Sequence, residues 1–443
     1  MTPGHRTEHD LLGDREVPAG AYWGIRTLRA CENFPTTGTP ISAYPQLVDA
    51  LAAVKAAAAR ANAELGLLAP EKALAIVEAC REIRNGHLHG QFVVDVIQGR
   101  AGTSANMNAN EVIANRALEI LGHAKGEYES LHPSEEVNLS HSTNDAYPTA
   151  IKVATINAVI ELLAAMSVLR EAFTAKAEEF RDVLTMGRTQ PADAVPMTLG
   201  QEFSVYAVML EESQGGLAEA VGPVHEINLG ATAIDTGLQA PAGYAGYAGY
   251  AGYAGYAGYA EAAGRHLADI TRLSLVTAGN PVEATQDYGA FVRLSGVLKS
   301  IAVKLSMNCN DLRLLSSGPP AELNETSLPA GQAGSRIMPG EVNAVIPEVV
   351  SRVAFDVIGN DATITMAAEA GQLQRNVFEP VIFHSLSESI THLRTTCLAL
   401  AERCAAGITA GTVAMRAAVA HSIGLVTALS PHIGYTAATG IAL

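Results

Sequence analysis

Hydrophobic residues recur every three or four positions over three unusually long stretches of this 443-residue chain. Residues 149–186 contain neither glycine nor proline, and their apolar positions follow one helix face from Ile156 to Leu184. A helix of about 38 residues would be about 57 Å long, which is typical of an extended bundle. Similar spacing predicts helices over about 287–317 and about 347–404, the latter interrupted at 359–361 and kinked at Pro380. The pattern therefore predicts a mostly α-helical protein.

The rest of the chain suggests a three-part organisation. Residues 1–140 mix shorter predicted helices with loops, residues 141–395 carry the long-helix bundle, and residues 396–443 are expected to form a C-terminal helical domain that is incomplete. Six consecutive copies of Ala-Gly-Tyr occupy residues 242–259. A period of three fits neither a strand nor a helix, so we interpret this tract as a low-complexity surface insertion or linker, or alternatively as sequence foreign to a natural protein.

Charge and composition limit the kinds of molecule that this protein is expected to bind. The formal net charge is −16, which disfavours nucleic acid and anionic membranes as partners because both require a basic face. The five cysteines are scattered without a CxxC pair, so they indicate neither a disulfide framework nor a zinc site. The N-terminus does not resemble a signal peptide, and no run of about 18 apolar residues is present. We therefore expect a cytoplasmic protein.

Four segments combine hydroxyl and amide side chains, and three of them also contain glycine. They are QGRAGTSANMN (98–108), HSTNDAYPT (141–149), MGRTQPADAVPMTLGQE (186–202) and GSRIMPGEVNA (334–344). Ser142, Thr143 and Asn144 lie directly before the first long helix, where exposed N–H groups and the positive end of the helix dipole can bind an anion. The alternative is that these residues serve only as helix caps.

In this order, the four segments resemble the motifs of the aspartase/fumarase superfamily, closest to its aspartate ammonia-lyases. Members of this family eliminate an amine, water or an adenylated group and leave fumarate. The resemblance implies a mostly α, three-domain fold whose central bundle forms a twenty-helix core in a homotetramer, with active sites built from three subunits. It also implies a small dicarboxylate substrate, no organic cofactor and no built-in metal site, although a divalent cation activates some members.

The same resemblance assigns roles to individual residues. Ser335 would be the base, acting from a loop over about 316–340 that closes on the substrate. The other assigned residues would bind substrate: Thr103, Ser142 and Thr143 the β-carboxylate, Thr189 and Asn343 the α-carboxylate, and Asn144 and Gln190 the region of the leaving amine. Glu348 matches a carboxylate behind the family's site, with an ordinary helix-surface glutamate as the alternative.

Three positions depart from the family pattern. Glu341 replaces a lysine, Arg336 replaces a serine and Arg100 replaces a glycine. Reversing one charge near a substrate carboxylate costs about 2–8 kcal/mol at 4 Å, depending on the effective dielectric constant. Arg336 or Arg100 could compensate by pairing with Glu341 or with a substrate carboxylate.

The sequence thus predicts an ammonia-lyase that forms fumarate from L-aspartate by proton abstraction through an aci-carboxylate intermediate. One alternative is a fumarate hydratase or another C–N or C–O lyase of the superfamily. Gln190 disfavours the hydratase alternative, because fumarases usually carry histidine at that position. The other alternative is a catalytically impaired structural homologue, which Glu341 would explain.

Overall fold

The computed structural model describes residues 4–190, 192–231, 257–318, 323–332 and 344–442. Its α-helices are α1 Ile25–Asn33, α2 Pro45–Glu64, α3 Pro70–Arg84, α4 Thr103–Ile120, α5 Thr143–Glu179, α6 Leu199–Ala220, α7 Ala257–Thr271, α8 Pro281–Gln286, α9 Gly289–Leu315, α10 Val345–Glu369, α11 Glu379–Arg403, α12 Thr412–His421, α13 Leu425–Ile433 and α14 Tyr435–Ala442. The prediction of a mostly α-helical fold is confirmed.

Strands are short and occur in two-stranded sheets. They are β1 His5–Asp10, β2 Gly13–Pro18, β3 Leu184–Thr189, β4 Ala192–Thr198, β5 Glu226–Ile227, β6 Val276–Thr277, β7 Thr326–Ser327 and β8 Thr409–Ala410. The pairs β1–β2, β3–β4 and β7–β8 are antiparallel, whereas β5–β6 is parallel. These small sheets connect loop segments by backbone hydrogen bonds, whereas the helices supply most of the core.

The chain divides into two compact units. The first comprises Met1–Val159, Ala220–Ser295 and Asn360–Glu388, and the second comprises Ile160–Glu219, Gly296–Gly359 and Ser389–Leu443. The three-domain division at residues 140 and 395 stays a prediction.

The first unit is built around α2, whose buried face consists mainly of alanines between Ala50 and Ala61. Small side chains allow the neighbouring helices α3 and α7 to pack closely against it. Glu111 of α4 is fully buried and accepts hydrogen bonds from the backbone N–H groups of Gly24 (2.8 Å) and Arg26 (2.9 Å). This carboxylate ties the start of α1 to α4.

Aromatic packing joins α5 to α6 in the second unit. The Phe180 and Phe203 ring centroids lie 5.3 Å apart, and those of Phe173 and Tyr206 lie 5.4 Å apart. Gly200, at the start of α6, permits the close approach, because a Cβ there would stand 2.5 Å from the Ala177 carbonyl oxygen. Bulky rings and one glycine thus fix where α6 begins.

The three long predicted helices exist, but the limits of the first and third were wrong. The first begins at Thr143, so Thr143 and Asn144 belong to its first turn and do not precede it. The first ends at Glu179, because Leu184–Thr189 leave the helix and pair as β3 with β4. The third prediction covers two helices: α10 runs unbroken through 359–361, and a loop at 370–378 separates it from α11. Pro380 is near the start of α11, where proline is tolerated, and does not kink it.

The Ala-Gly-Tyr tract is only partly described. Residues 242–256 lie outside the described residues, whereas residues 257–259 form the first turn of α7. The Tyr259 side chain is buried, and its hydroxyl lies 3.3 Å from Nδ1 of His141. For this last copy, the interpretation as a surface insertion was wrong.

By length and composition, α5 could cross a membrane, and among the described helices it alone passes this test. However, 56% of its most apolar 18-residue window is buried within the protein. Partial burial of this kind is typical of a core helix in a globular protein.

Candidate active site

A cavity of about 390 Å³ lies in the first unit, where the N-termini of α4 and α5 meet. Its lining residues are Arg100, Ala101, Thr103, Ser142, Thr143, Asn144, Arg375 and Val377. Four of the predicted substrate-binding residues therefore share one cavity. The charged side chains in the lining are both arginines, and none of the lining residues carries a carboxylate.

Ser142 and Asp145 fix the start of α5. The Ser142 carbonyl accepts from the Ala146 N–H (3.0 Å), and the Ser142 N–H donates to Oδ1 of Asp145 (2.8 Å). Asp145 is fully buried and also accepts from the Gly230 N–H at 2.9 Å. These bonds hold the first turn rigid, so the hydroxyls of Ser142 and Thr143 keep their places in the cavity wall.

The start of α4 adopts an unusual backbone. Arg100, Ala101 and Gly102 have φ values of 59°, 51° and 80°. Only glycine takes this conformation without cost, so Arg100 and Ala101 each carry about 1 kcal/mol of strain or more. At Gly102, a Cβ would come within 2.3 Å of the Tyr147 ring. The Thr103 hydroxyl donates to the Arg100 carbonyl at 2.6 Å, which closes the turn.

A buried polar network lies beneath Thr143. The amide nitrogen of Asn106 donates to Oγ1 of Thr143 (3.1 Å) and to Oδ1 of Asn138 (3.0 Å). Because Asn106 occupies an acceptor position on Thr143, the Thr143 hydroxyl hydrogen can point into the cavity as a donor. This geometry suits a carboxylate ligand.

Lys55, on α2, is the charged member of this network. Its Nζ lies 2.8 Å from Oδ1 of Asn138 and 2.7 Å from Nε2 of His141. Burial lowers the pKa of Lys55 to about 7, and Asp145 opposes this shift. Burial, and then the nearby Lys55, lower the pKa of His141 well below its ordinary value. A neutral His141 donates from Nδ1 to the Leu139 carbonyl (2.8 Å) and accepts from Lys55 at Nε2.

Thr189 and Gln190 belong to the second unit, at the turn between β3 and β4, where both side chains are exposed. Gln190 has a φ of 56°, as the turn requires. A buried carboxylate holds this hairpin, since Glu325 lies 2.5 Å from Nη2 of Arg188 and accepts from Oγ1 of Thr185 at 3.1 Å. Sequence reasoning did not single out Glu325, because its role depends on a contact 137 residues away.

Of the remaining predicted residues, the structure describes Glu348 only. Ser335, Arg336, Glu341 and Asn343 lie outside the described residues, so their roles stay predictions. Glu348 lies in the first turn of α10 and is paired with Arg352 (3.4 Å) and Arg313 (4.0 Å). These pairs suit the alternative in which Glu348 serves the helix surface.

Comparison with known proteins identifies the family. A protein-family model described as lyase matches residues 13–359. An aspartate ammonia-lyase from Pseudomonas canavaninivorans is 56% identical over 439 residues, which cover 99% of this chain and 89% of that protein. This chain belongs to the aspartase/fumarase superfamily.

Solved structures agree with this assignment. A Brucella melitensis structure titled fumarate lyase:delta crystallin, bound to cobalt, matches with a TM-score of 0.93 and 51% identity, covering 99% of this chain and 92% of that chain. A class II fumarase from Schistosoma mansoni matches with a TM-score of 0.90 and 32% identity, at the same coverage of both chains. The resemblance inferred from the four motifs is therefore confirmed.

Within this family fold, Arg375 is a cavity residue that sequence reasoning missed. It lies in the loop at 370–378, which had been predicted as helix. Gly371 and Pro380 are ordinary signals for a helix end and a helix start, and they could have exposed this loop. Among the described residues, no group of three or more His, Cys, Asp or Glu side chains could hold a metal ion.

The buried Lys55 predicts a specific pH dependence of stability. Between its lowered pKa of about 7 and the ordinary value of 10.5, the unfolded chain binds more protons at Lys55 than the folded chain does. Stability contributed by this residue therefore rises with pH through that window. Denaturant unfolding measures the free energy of unfolding. From pH 7 to pH 9, that of the parent should rise by about 2 kcal/mol relative to that of Lys55→Met. A constant difference would contradict the lowered pKa.

Proposed function

We propose that this protein is an aspartate ammonia-lyase, which converts L-aspartate to fumarate and ammonia. The observation that carries the proposal is the convergence of Thr103, Ser142, Thr143 and Asn144 on one cavity formed by two helix N-termini. The relative from Pseudomonas canavaninivorans carries this enzyme name at 56% identity, which adds support. A small dicarboxylate fits the size and the positive character of this cavity.

Removal of a proton from the β-carbon would leave a carbanion whose charge moves onto the β-carboxylate. The C–N bond then breaks, the electron pair leaves with the nitrogen, and fumarate and ammonia remain. Only donors aimed at the β-carboxylate, where charge develops, lower this barrier. Thr143 supplies such a donor, because Asn106 behind it fixes the orientation of its hydroxyl. The cavity would thus stabilise the aci-carboxylate.

The other assignments follow the family. We propose Ser335 as the base that takes the proton, and Thr189 and Asn343 as ligands of the α-carboxylate. Gln190 and Asn144 would lie near the leaving amine. A serine is a weak base, so the loop that carries it must stabilise the alkoxide when the site closes.

We further propose a homotetramer with a helical core. Large apolar side chains remain exposed along the long helices of the second unit: Ile160 and Val168 on α5, Val205 and Val208 on α6, Val303, Met307 and Leu314 on α9, and Phe355 and Ile358 on α10. Within α6, α9 and α10 their spacings of three, four and seven residues place them on one helix face, as expected of an interface. Light scattering should give the mass of four chains, and a single-chain mass would contradict this proposal.

We propose that the enzyme acts in the cytoplasm, with no nucleic-acid or membrane partner and no organic cofactor. The net charge of −16 supports the absence of nucleic-acid and membrane partners, because it repels polyanions and anionic lipid surfaces. A divalent cation would act only as an activator. The Brucella melitensis relative is described as bound to cobalt, which is compatible with such a role.

One assay tests the proposed reaction. Fumarate formation is followed by ultraviolet absorbance, with L-aspartate as substrate in one experiment and L-malate in a parallel one. The proposed function predicts fumarate from aspartate alone. Fumarate from malate alone would favour the hydratase alternative, and no signal from either substrate would favour the impaired homologue.

Glu341 should reduce activity in this protein, because the family places a lysine ammonium at that position. Glu341→Lys should raise kcat/KM for aspartate by about 30-fold or more, since charge reversal near a substrate carboxylate is worth at least about 2 kcal/mol. Glu341→Gln is the matched control and should give an intermediate gain, because it removes repulsion without adding attraction. A loss of activity in Glu341→Lys would instead indicate that arginines have rewired the site around Glu341.

A further inference from the structure

Arg375 is held in the cavity wall by a rigid loop between α10 and α11. The backbone of Arg375 bonds reciprocally with Gln372, at 3.0 Å and 3.3 Å. The neighbouring Asn376 is fully buried, and its side chain donates to the carbonyls of Ala367 (3.0 Å) and Ala368 (3.1 Å) at the end of α10. The position of Arg375 is therefore set by the fold and does not depend on a ligand.

The Arg375 guanidinium has unsatisfied hydrogen-bonding capacity. Its Nε and Nη2 atoms are buried and find no hydrogen-bond partner among the described residues, and the same holds for both carboxylate oxygens of the neighbouring Glu379. Its charge partner is the fully buried Glu379, but Nη2 and Oε1 are 3.8 Å apart, beyond hydrogen-bond distance. Arg375 also lines the cavity, so the part of its side chain that faces the cavity can meet a ligand. A loosely paired arginine in a cavity wall is suited to an anionic ligand.

Glu379 does not fully neutralise Arg375. Burial raises the pKa of Glu379 to about 7, even though Arg375 acts in the opposite direction. Near neutral pH the carboxyl is therefore partly protonated, and the positive charge of Arg375 remains available to the cavity. Arg100 is the other charged residue in the lining.

We propose that Arg375 is a substrate-binding residue that pairs with a carboxylate of the dicarboxylate ligand in this cavity. The pairing would add a second positive charge to a site whose other lining residues are Arg100 and residues with hydroxyl or amide side chains or apolar side chains. This inference rests on the proposed function, because it takes the ligand to be a four-carbon dicarboxylate.

Binding of succinate, the saturated four-carbon dicarboxylate, measures this role without catalysis. Isothermal titration calorimetry on the full chain compares the parent with Arg375→Gln, and Arg265→Gln is the matched control. Arg265 also pairs with a glutamate, Glu64 at 2.7 Å, but it is exposed and does not line the cavity. The dissociation constant should rise about tenfold to a hundredfold in Arg375→Gln, as for loss of one charge-assisted pair, and stay unchanged in Arg265→Gln.

A double variant separates ligand binding from a purely structural role. Arg375→Gln alone leaves Glu379 buried without a counter-charge, which could weaken binding by distorting the loop. Arg375→Gln combined with Glu379→Gln removes both charges. Succinate binding should remain weak in the double variant if Arg375 contacts the ligand, whereas recovery to parental affinity would overturn the inference.

The outcomes also separate this inference from the proposed reaction. Tight succinate binding that depends on Arg375, without fumarate formation from aspartate, would sustain the binding role and reject the lyase. If the lyase is active, KM for aspartate should rise in Arg375→Gln more than kcat falls, and Arg375→Lys should restore part of the affinity. Absence of succinate binding by the parent protein would reject the role of Arg375.

Discussion

The contact on which the site depends is the hydrogen bond from the Asn106 side chain to Thr143. It joins α4 to the first residue of α5 and so brings the two helix N-termini together around one cavity. Asn106 is in turn held by Asn138, which Lys55 also contacts. Burying amides and an amine costs free energy unless each group is hydrogen-bonded. The pairing within this network therefore favours one geometry over its alternatives.

Burial of this polar network is consistent with the proposed binding of a carboxylate by hydroxyl and amide groups of fixed orientation. Helix N–H groups and hydroxyls aim fixed partial charges at a carboxylate, and they need no reorganisation when charge grows on it. The charged residues in the cavity wall are two arginines. Arg100 occupies a left-handed backbone position that glycine would fill without strain, and Arg375 enters from a loop after α10. Both add positive charge to the cavity.

Much of the fold and part of the site could be predicted from sequence. Helical periodicity located the long helices, and the short motif at 141–149 located the start of α5, because local spacing carries both signals. The hairpin at 184–198 was missed, since pairing between strands overrode a helical pattern that continued to Leu184. Arg375 and Glu325 were missed for a related reason: each acts through residues distant in sequence, and no local pattern marks such contacts.

We propose that this cavity serves the interconversion of aspartate with fumarate and ammonia. The reverse reaction tests it most directly, because water and ammonia then compete for the same double bond in one solution. The purified protein is incubated with fumarate and excess ammonium in water, and the products are identified by proton nuclear magnetic resonance. We expect L-aspartate as the product. Formation of malate, or fumarate left unchanged, would contradict the proposed reaction.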